Sequence, residues 1–177
     1  DTVEEKDVEV KTPDGVADAA LFYPKAKGKY PAVLLWPDVM SLRPVFRDMG
    51  RRLAAAGYVV LVPNLYYRVK KAPVVEGTFN FANPDDRAKL TPLRASVTTE
   101  GTFKDAAAYI AFLDAQAKTD KARKAGVQGY CMGGPLSFRT AAAVPARIGA
   151  VASFHGGGLV TDLSLIHISE PTRRYAI

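Results

Sequence analysis

The sequence predicts an α/β fold, a mostly parallel sheet with helices on both faces. Three observations carry that expectation. Apolar runs alternate with stretches of helical period along most of the chain. Two runs, Pro31–Trp36 and Tyr58–Val62, are apolar throughout, as expected of strands covered on both sides. The stretch Gly129-Tyr130-Cys131-Met132-Gly133-Gly134 puts a glycine-rich turn between an apolar strand and a helix.

The elements follow in order. Val8–Lys11 and Ala17–Phe22 read as two short strands about a turn at Pro13-Asp14-Gly15. Pro31–Trp36 is the next strand. A helix starts near Pro44 and turns Phe46, Met49, Leu53 and Ala56 inward, with Gly57 as its C-terminal cap. Tyr58–Val62 is a buried strand stopped by Pro63. Residues 64–101 then break the rhythm with a segment too long for an ordinary connection. It carries Tyr66, Tyr67, Phe79 and Phe81 beside Arg68, Lys70, Lys71, Arg87 and Arg94, and the aromatics argue against simple disorder. One reading is a surface excursion with a short helix around Asp85–Leu93. The other is a cap over an active site that supplies a cation for an acidic substrate. Thr102–Ala117 reads as a helix with Ala106, Ile110, Leu113 and Ala117 inward. Val127–Tyr130 is a strand, Met132 to about Val144 a helix, and Ile148–Phe154 a strand.

Bulk properties narrow the function. The 177 residues, 48% hydrophobic, suffice for one domain with a sizeable core. No apolar run is long enough to cross a membrane as a helix. Cys131 is the only cysteine, which excludes a disulfide scaffold. A net charge of +6 suits an anionic partner, but the lysines are scattered apart from short clusters at Lys25–Lys29 and Lys118–Lys124. No nucleic-acid motif accompanies them, so the expected partner is a small molecule rather than a nucleic acid or a membrane. Asp1 is preceded by no signal pattern, and the expected compartment is the cytoplasm or, if a leader was removed, the periplasm. Oligomeric state is left open.

The chemistry concentrates at Cys131. The spacing Gly-x-nucleophile-x-Gly, directly after a strand and before a helix, is that of a nucleophile elbow. Such a turn is tight enough that side chains two residues either side of the nucleophile would collide, and Gly129 and Gly133 remove them. Pro135 falls in the first helical turn, where a missing N–H does no harm. The helix N-terminus aims positive partial charge at the sulfur, the polarity a thiolate nucleophile needs. The competing readings are a small buried cysteine and a nucleotide-binding loop. The glycines do not fit a dinucleotide fingerprint, and no Gly-Lys-Ser/Thr ending is present.

The elbow, the segments Val33–Asp48 and Arg51–Arg68, and Ser153-Phe-His-Gly-Gly-Gly158 together resemble the dienelactone hydrolase family over about Val8 to Asp162. The resemblance implies an α/β-hydrolase sheet and a Cys-His-Asp triad that cleaves small lactones and esters without metal or cofactor. Cys131 falls on the family's nucleophile. The backbone N–H groups of Met132 and Val39 fall on the two oxyanion donors. Asp38 stands where founding members carry a glutamate that holds the resting thiol. Aspartate is one methylene shorter, and on sequence alone Asp38 serves equally as a turn cap after Pro37. His155-Gly-Gly-Gly158 resembles a lipase oxyanion motif but follows the nucleophile instead of preceding it. It reads as a loop near the site, with His155 an accessory group, because no acid separates Cys131 from His155 as the triad order requires.

Beyond Asp162 the text changes character. Leu163–Arg173 reads as the in-frame translation of a transposase-based sequencing adapter, so residues 1–162 are expected to be an incomplete α/β-hydrolase domain lacking C-terminal strands. Residues 163–177 are then a non-native tail in which His167 has no catalytic meaning. The expectation is a cysteine-dependent hydrolase of small esters or lactones, inactive as this chain. Its rivals are a carboxylesterase or thioesterase on the same fold, and a non-catalytic binding member.

Overall fold

A computed structural model describes residues 1–160. The readings placed on Leu163–Ile177, including His167, lie outside the described residues. Among those described, six strands form one sheet in the order β1-β2-β4-β3-β5-β6. Two strands open it, β1 (Val3–Thr12) and β2 (Gly15–Pro24), an antiparallel hairpin with Thr12 opposite Gly15. The hairpin is longer than the sequence suggested. Its outer strand carries Glu4, Glu5, Lys6 and Asp7, which hide the apolar alternation while backbone bonds to β2 keep the pairing. Charge of this kind on an edge strand also discourages pairing with another chain.

The strands β3 (Ala32–Trp36) and β4 (Val59–Pro63) are buried at every position. They pair in parallel, and β3 pairs in parallel with β5 (Ala125–Tyr130), which in turn pairs with β6 (Ile148–Phe154). Helix α1 (Pro44–Ala55) covers one face, where Phe46 and Ala54 pack on Ala20, Phe22, Val60 and Val62. Gly50 lets the helix approach, since a Cβ there would sit 2.6 Å from the Phe22 ring. Gly50 thus replaces Ala56 in the expected stripe, because α1 ends at Ala55 and Ala56 is exposed at its cap.

The other face is covered by α2 (Pro84–Ala95), α3 (Thr99–Asp114) and α4 (Gly133–Ala143), whose apolar side chains join Leu34, Leu61 and Val127 in the larger core. The short helix read around Asp85–Leu93 is α2, capped by Asn83, whose side chain accepts from the Asp85 N–H. Helix α3 begins three residues earlier than expected, because the Thr98 hydroxyl accepts the Gly101 N–H and caps it there. It also ends earlier, leaving Ala117 exposed beyond its last turn. A buried hydrogen bond from Trp36 Nε1 to Thr140 Oγ1 at 2.8 Å ties β3 to α4.

The topology fixes where a site can form. From β3 the chain crosses to β4 through α1 on one face, and from β4 it crosses to β5 through α2 and α3 on the other. The carboxyl ends of β3 and β5 are therefore adjacent, with Trp36 opposite Gly129, at the point where the crossovers diverge. In open α/β sheets ligands bind in that crevice.

Candidate active site

At the end of β5 the chain turns sharply into α4, and Cys131 sits in the turn with φ 54°. A non-glycine residue there is strained, and the neighbours show why the strain persists. The Cys131 N–H donates to the Phe154 carbonyl at 2.9 Å, and the Gly134 N–H donates to the Cys131 carbonyl at 3.0 Å. A Cβ on Gly129 would stand 1.9 Å from the Gly133 carbonyl oxygen. A Cβ on Gly133 would stand 2.4 Å from the Pro37 carbonyl oxygen and 2.5 Å from that of Trp36. These glycines are demanded by the close approach of elbow, helix and β3. The cysteine is partly exposed and free.

The loop after β3 lies beside it. The Asp38 carbonyl accepts the Ser41 N–H at 2.8 Å. In a trans peptide the N–H points opposite the carbonyl, so the Val39 N–H faces away from this turn. Neither the Val39 N–H nor the Met132 N–H meets an acceptor among the described residues. Among the described residues no hydrogen bond joins the Asp38 carboxylate to the sulfur. The carboxylate accepts the Met40 N–H at 3.0 Å and two bonds from the Arg43 guanidinium, one of them at 2.9 Å. The Met40 contact is that of a turn cap, one of the two roles open to it.

Cys131 opens onto a pocket of about 500 Å³. Phe81, Leu90, Val97, Pro135 and Leu136 form its apolar wall, Val39 and Met132 lie at its base, and Arg87, Arg94 and Arg139 supply cations. Arg87 donates to the Phe81 carbonyl at 2.9 Å. Arg94 and Arg139 have no hydrogen-bond or ion-pair partner among the described residues. Burial holds the Arg139 guanidinium below its usual range. A larger groove of about 720 Å³ crosses the α1 side of β5 and β6, lined by Leu53, Tyr58, Gly126 and Gln128, with no cysteine, serine or histidine among its lining residues.

The five cations noted in residues 64–101 separate cleanly. Arg68 is committed to Asp105 at 2.7 Å and Asp14 at 2.8 Å, Lys71 lies 3.7 Å from Glu9, and Lys70 donates to the Val74 carbonyl. Only Arg87 and Arg94 reach the pocket. Sequence reading missed Arg139, although Met132, Pro135, Leu136 and Arg139 share one helical face. His155 also has a left-handed backbone, φ 43°, and is exposed in the loop after β6. It does not line the pocket, whereas Gly157 does. Among the described residues no group of three or more His, Cys, Asp or Glu side chains is placed to hold a metal ion, and no helix is long and apolar enough to cross a membrane.

Known proteins resemble this chain in sequence and in fold. The profile of the dienelactone hydrolase family matches residues 17–173, running past Asp162. A protein provisionally named carboxymethylenebutenolidase from Methylorubrum extorquens is 30% identical over 165 residues, covering 92% of this chain and 53% of that protein. Carboxymethylenebutenolidase 1 of Cupriavidus pinatubonensis is 29% identical, over 77% of this chain and 55% of its own length. The chain thus spans about half the length of these relatives. A solved structure provisionally named dienelactone hydrolase, from Klebsiella pneumoniae, superposes with a TM-score of 0.75 at 23% identity, over 93% of this chain and 64% of that one. The chain is a member of the dienelactone hydrolase family, built on the α/β-hydrolase fold.

Proposed function

We propose that the protein is a cysteine-dependent hydrolase of small esters or lactones that carry an anionic group. The observation that carries this reading is Cys131, held at φ 54° between two glycines that admit no side chain and opening onto the arginine-lined pocket. The Cys131 thiol gives its proton to water, the thiolate forms a bond to the substrate carbonyl carbon, and the π electrons move to oxygen. The N–H groups of Val39 and Met132 receive that oxyanion. Collapse breaks the carbon–oxygen bond and expels the alcohol oxygen, which takes a proton from water, and a second water then splits the carbon–sulfur bond, returning the thiol and the acid. On this reading the nucleophile and the anion hole lie among the described residues, while no histidine base among those residues lines the pocket beside them.

The test is acylation followed by mass spectrometry. Incubation with p-nitrophenyl acetate is expected to leave one acetyl group on Cys131, with slow release, and Cys131→Ala should remain unmodified. Equal acetylation of the alanine variant would exclude Cys131 as the nucleophile.

A further inference from the structure

Tyr66 follows β4 by three residues and is fully buried, yet its hydroxyl reaches the reaction centre. It donates to the Val39 carbonyl at 2.6 Å, and the Met132 Sδ lies 3.5 Å from the Tyr66 hydroxyl oxygen itself. We infer that Tyr66 is a positioning residue for the oxyanion hole, holding the Val39 loop and the Met132 turn in mutual register. The inference rests on Cys131 being the nucleophile and Val39 and Met132 the donors.

The argument is one of degrees of freedom. The Val39–Met40 peptide is held from both sides, with Tyr66 donating to its carbonyl and the Asp38 carboxylate accepting its N–H at 3.0 Å. With that peptide fixed and the Asp38 carbonyl bonded to the Ser41 N–H, the intervening Val39 N–H has little room to rotate. The phenol itself is anchored. The Tyr66 N–H donates to Asn64 Oδ1 at 3.0 Å, and the same oxygen accepts the Ser41 hydroxyl at 2.9 Å. The Ser41 oxygen in turn accepts the Leu65 N–H at 2.8 Å. The turn after β3 and the turn after β4 therefore move as one unit. Burial drives the Tyr66 hydroxyl well above the usual phenol range, so it stays protonated and acts as a donor, not as a base. Hydrogen-bond donors in an oxyanion hole help only when aimed before the charge appears, and loss of a single donor costs on the order of 10²- to 10³-fold. Misaiming a donor that is still present should cost less, about tenfold.

Two reactions at one sulfur separate positioning from simple support. Acylation of Cys131 by p-nitrophenyl acetate passes through an oxyanion, whereas alkylation by iodoacetamide does not. In Tyr66→Phe the acylation rate is expected to fall about tenfold, the misaiming loss, while alkylation stays within about twofold of wild type. Asp38→Ala frees the other side of the same peptide and should give the same split, which serves if the phenylalanine variant does not fold. Unchanged acylation in a folded variant would overturn the inference, and so would an equal fall in both reactions. Acylation that persists in Cys131→Ala would instead overturn the nucleophile assignment beneath it.

Discussion

Close approach of backbone to backbone decides the identity of single residues at the elbow. Gly133 would place a Cβ within 2.5 Å of two carbonyl oxygens at the end of β3, atoms that cannot swing aside like the tip of a side chain. Gly133→Ala should therefore destabilise the fold by about 1–3 kcal/mol or more in urea denaturation, the usual cost of overpacking. Gly157→Ala, where a Cβ meets nothing within 4 Å among the described residues, should be neutral in the same measurement. Equal midpoints for the two variants would show that the elbow is looser than described. Gly129, Cys131 and Gly133 were legible in the sequence because their steric demand is local and leaves a fixed spacing. Tyr66 was not legible. Its partner Val39 is 27 positions away, and nothing in a tyrosine among other aromatics marks the one that turns inward.

The same contrast runs through α2. Its buried side chains Leu90 and Leu93 anchor it to the core, while Arg87, Leu90, Arg94 and, just past its end, Val97 present a face to the pocket at spacings of three and four. Arg94 and Arg139 meet in that pocket from different helices, with no acidic partner among the described residues. A hydrogen bond to a charged group contributes about 1.5–3 kcal/mol, so Arg94→Gln should cost an acyl ester bearing a carboxylate about tenfold in Cys131 acylation relative to a neutral ester. Arg139→Gln should shift the same ratio. An unchanged ratio in both variants would remove the anionic substrate from the proposal. Arg68→Gln is the informative contrast, because its ion pairs with Asp105 and Asp14 brace the loop after β4 against α3 and the β1–β2 turn. That change should lower stability without altering the ratio.

At the scale of the molecule, burial of phenols links stability to alkaline pH. Burial raises Tyr66, Tyr67 and Tyr109 above the ordinary value of 10.0, with Asp105 adding to the effect at Tyr67 and Tyr109. A raised folded value means the folded state keeps the proton that the unfolded chain loses first. Stability from these groups is therefore complete below pH 10 and is lost as pH climbs beyond it. The thermal midpoint should fall above that pH, and phenolate absorbance of the folded protein should show fewer than all eight tyrosines titrating. Titration of all eight near pH 10 in the folded protein would contradict this burial.

The sequence by itself determined the alternation of strands and helices, the parallel core of β3 and β4, and the elbow with Cys131 at its apex. Each of these leaves a short-range signature, an apolar run, a helical period or a glycine spacing, because the forces involved act between near neighbours in the chain. Tertiary structure alone decided which residues gather around the sulfur. Arg94 and Arg139 lie 45 positions apart and share a pocket only because α2 and α4 cover the same face of the sheet. Asp38, which the sequence left between two roles, caps its own turn through the Met40 N–H and is paired with Arg43, five residues on, which folds back over it. Arg68, a candidate cation on paper, was taken by Asp105 from α3. Partner choice among charged and hydroxyl groups is settled by distance in space, and composition carries no record of it.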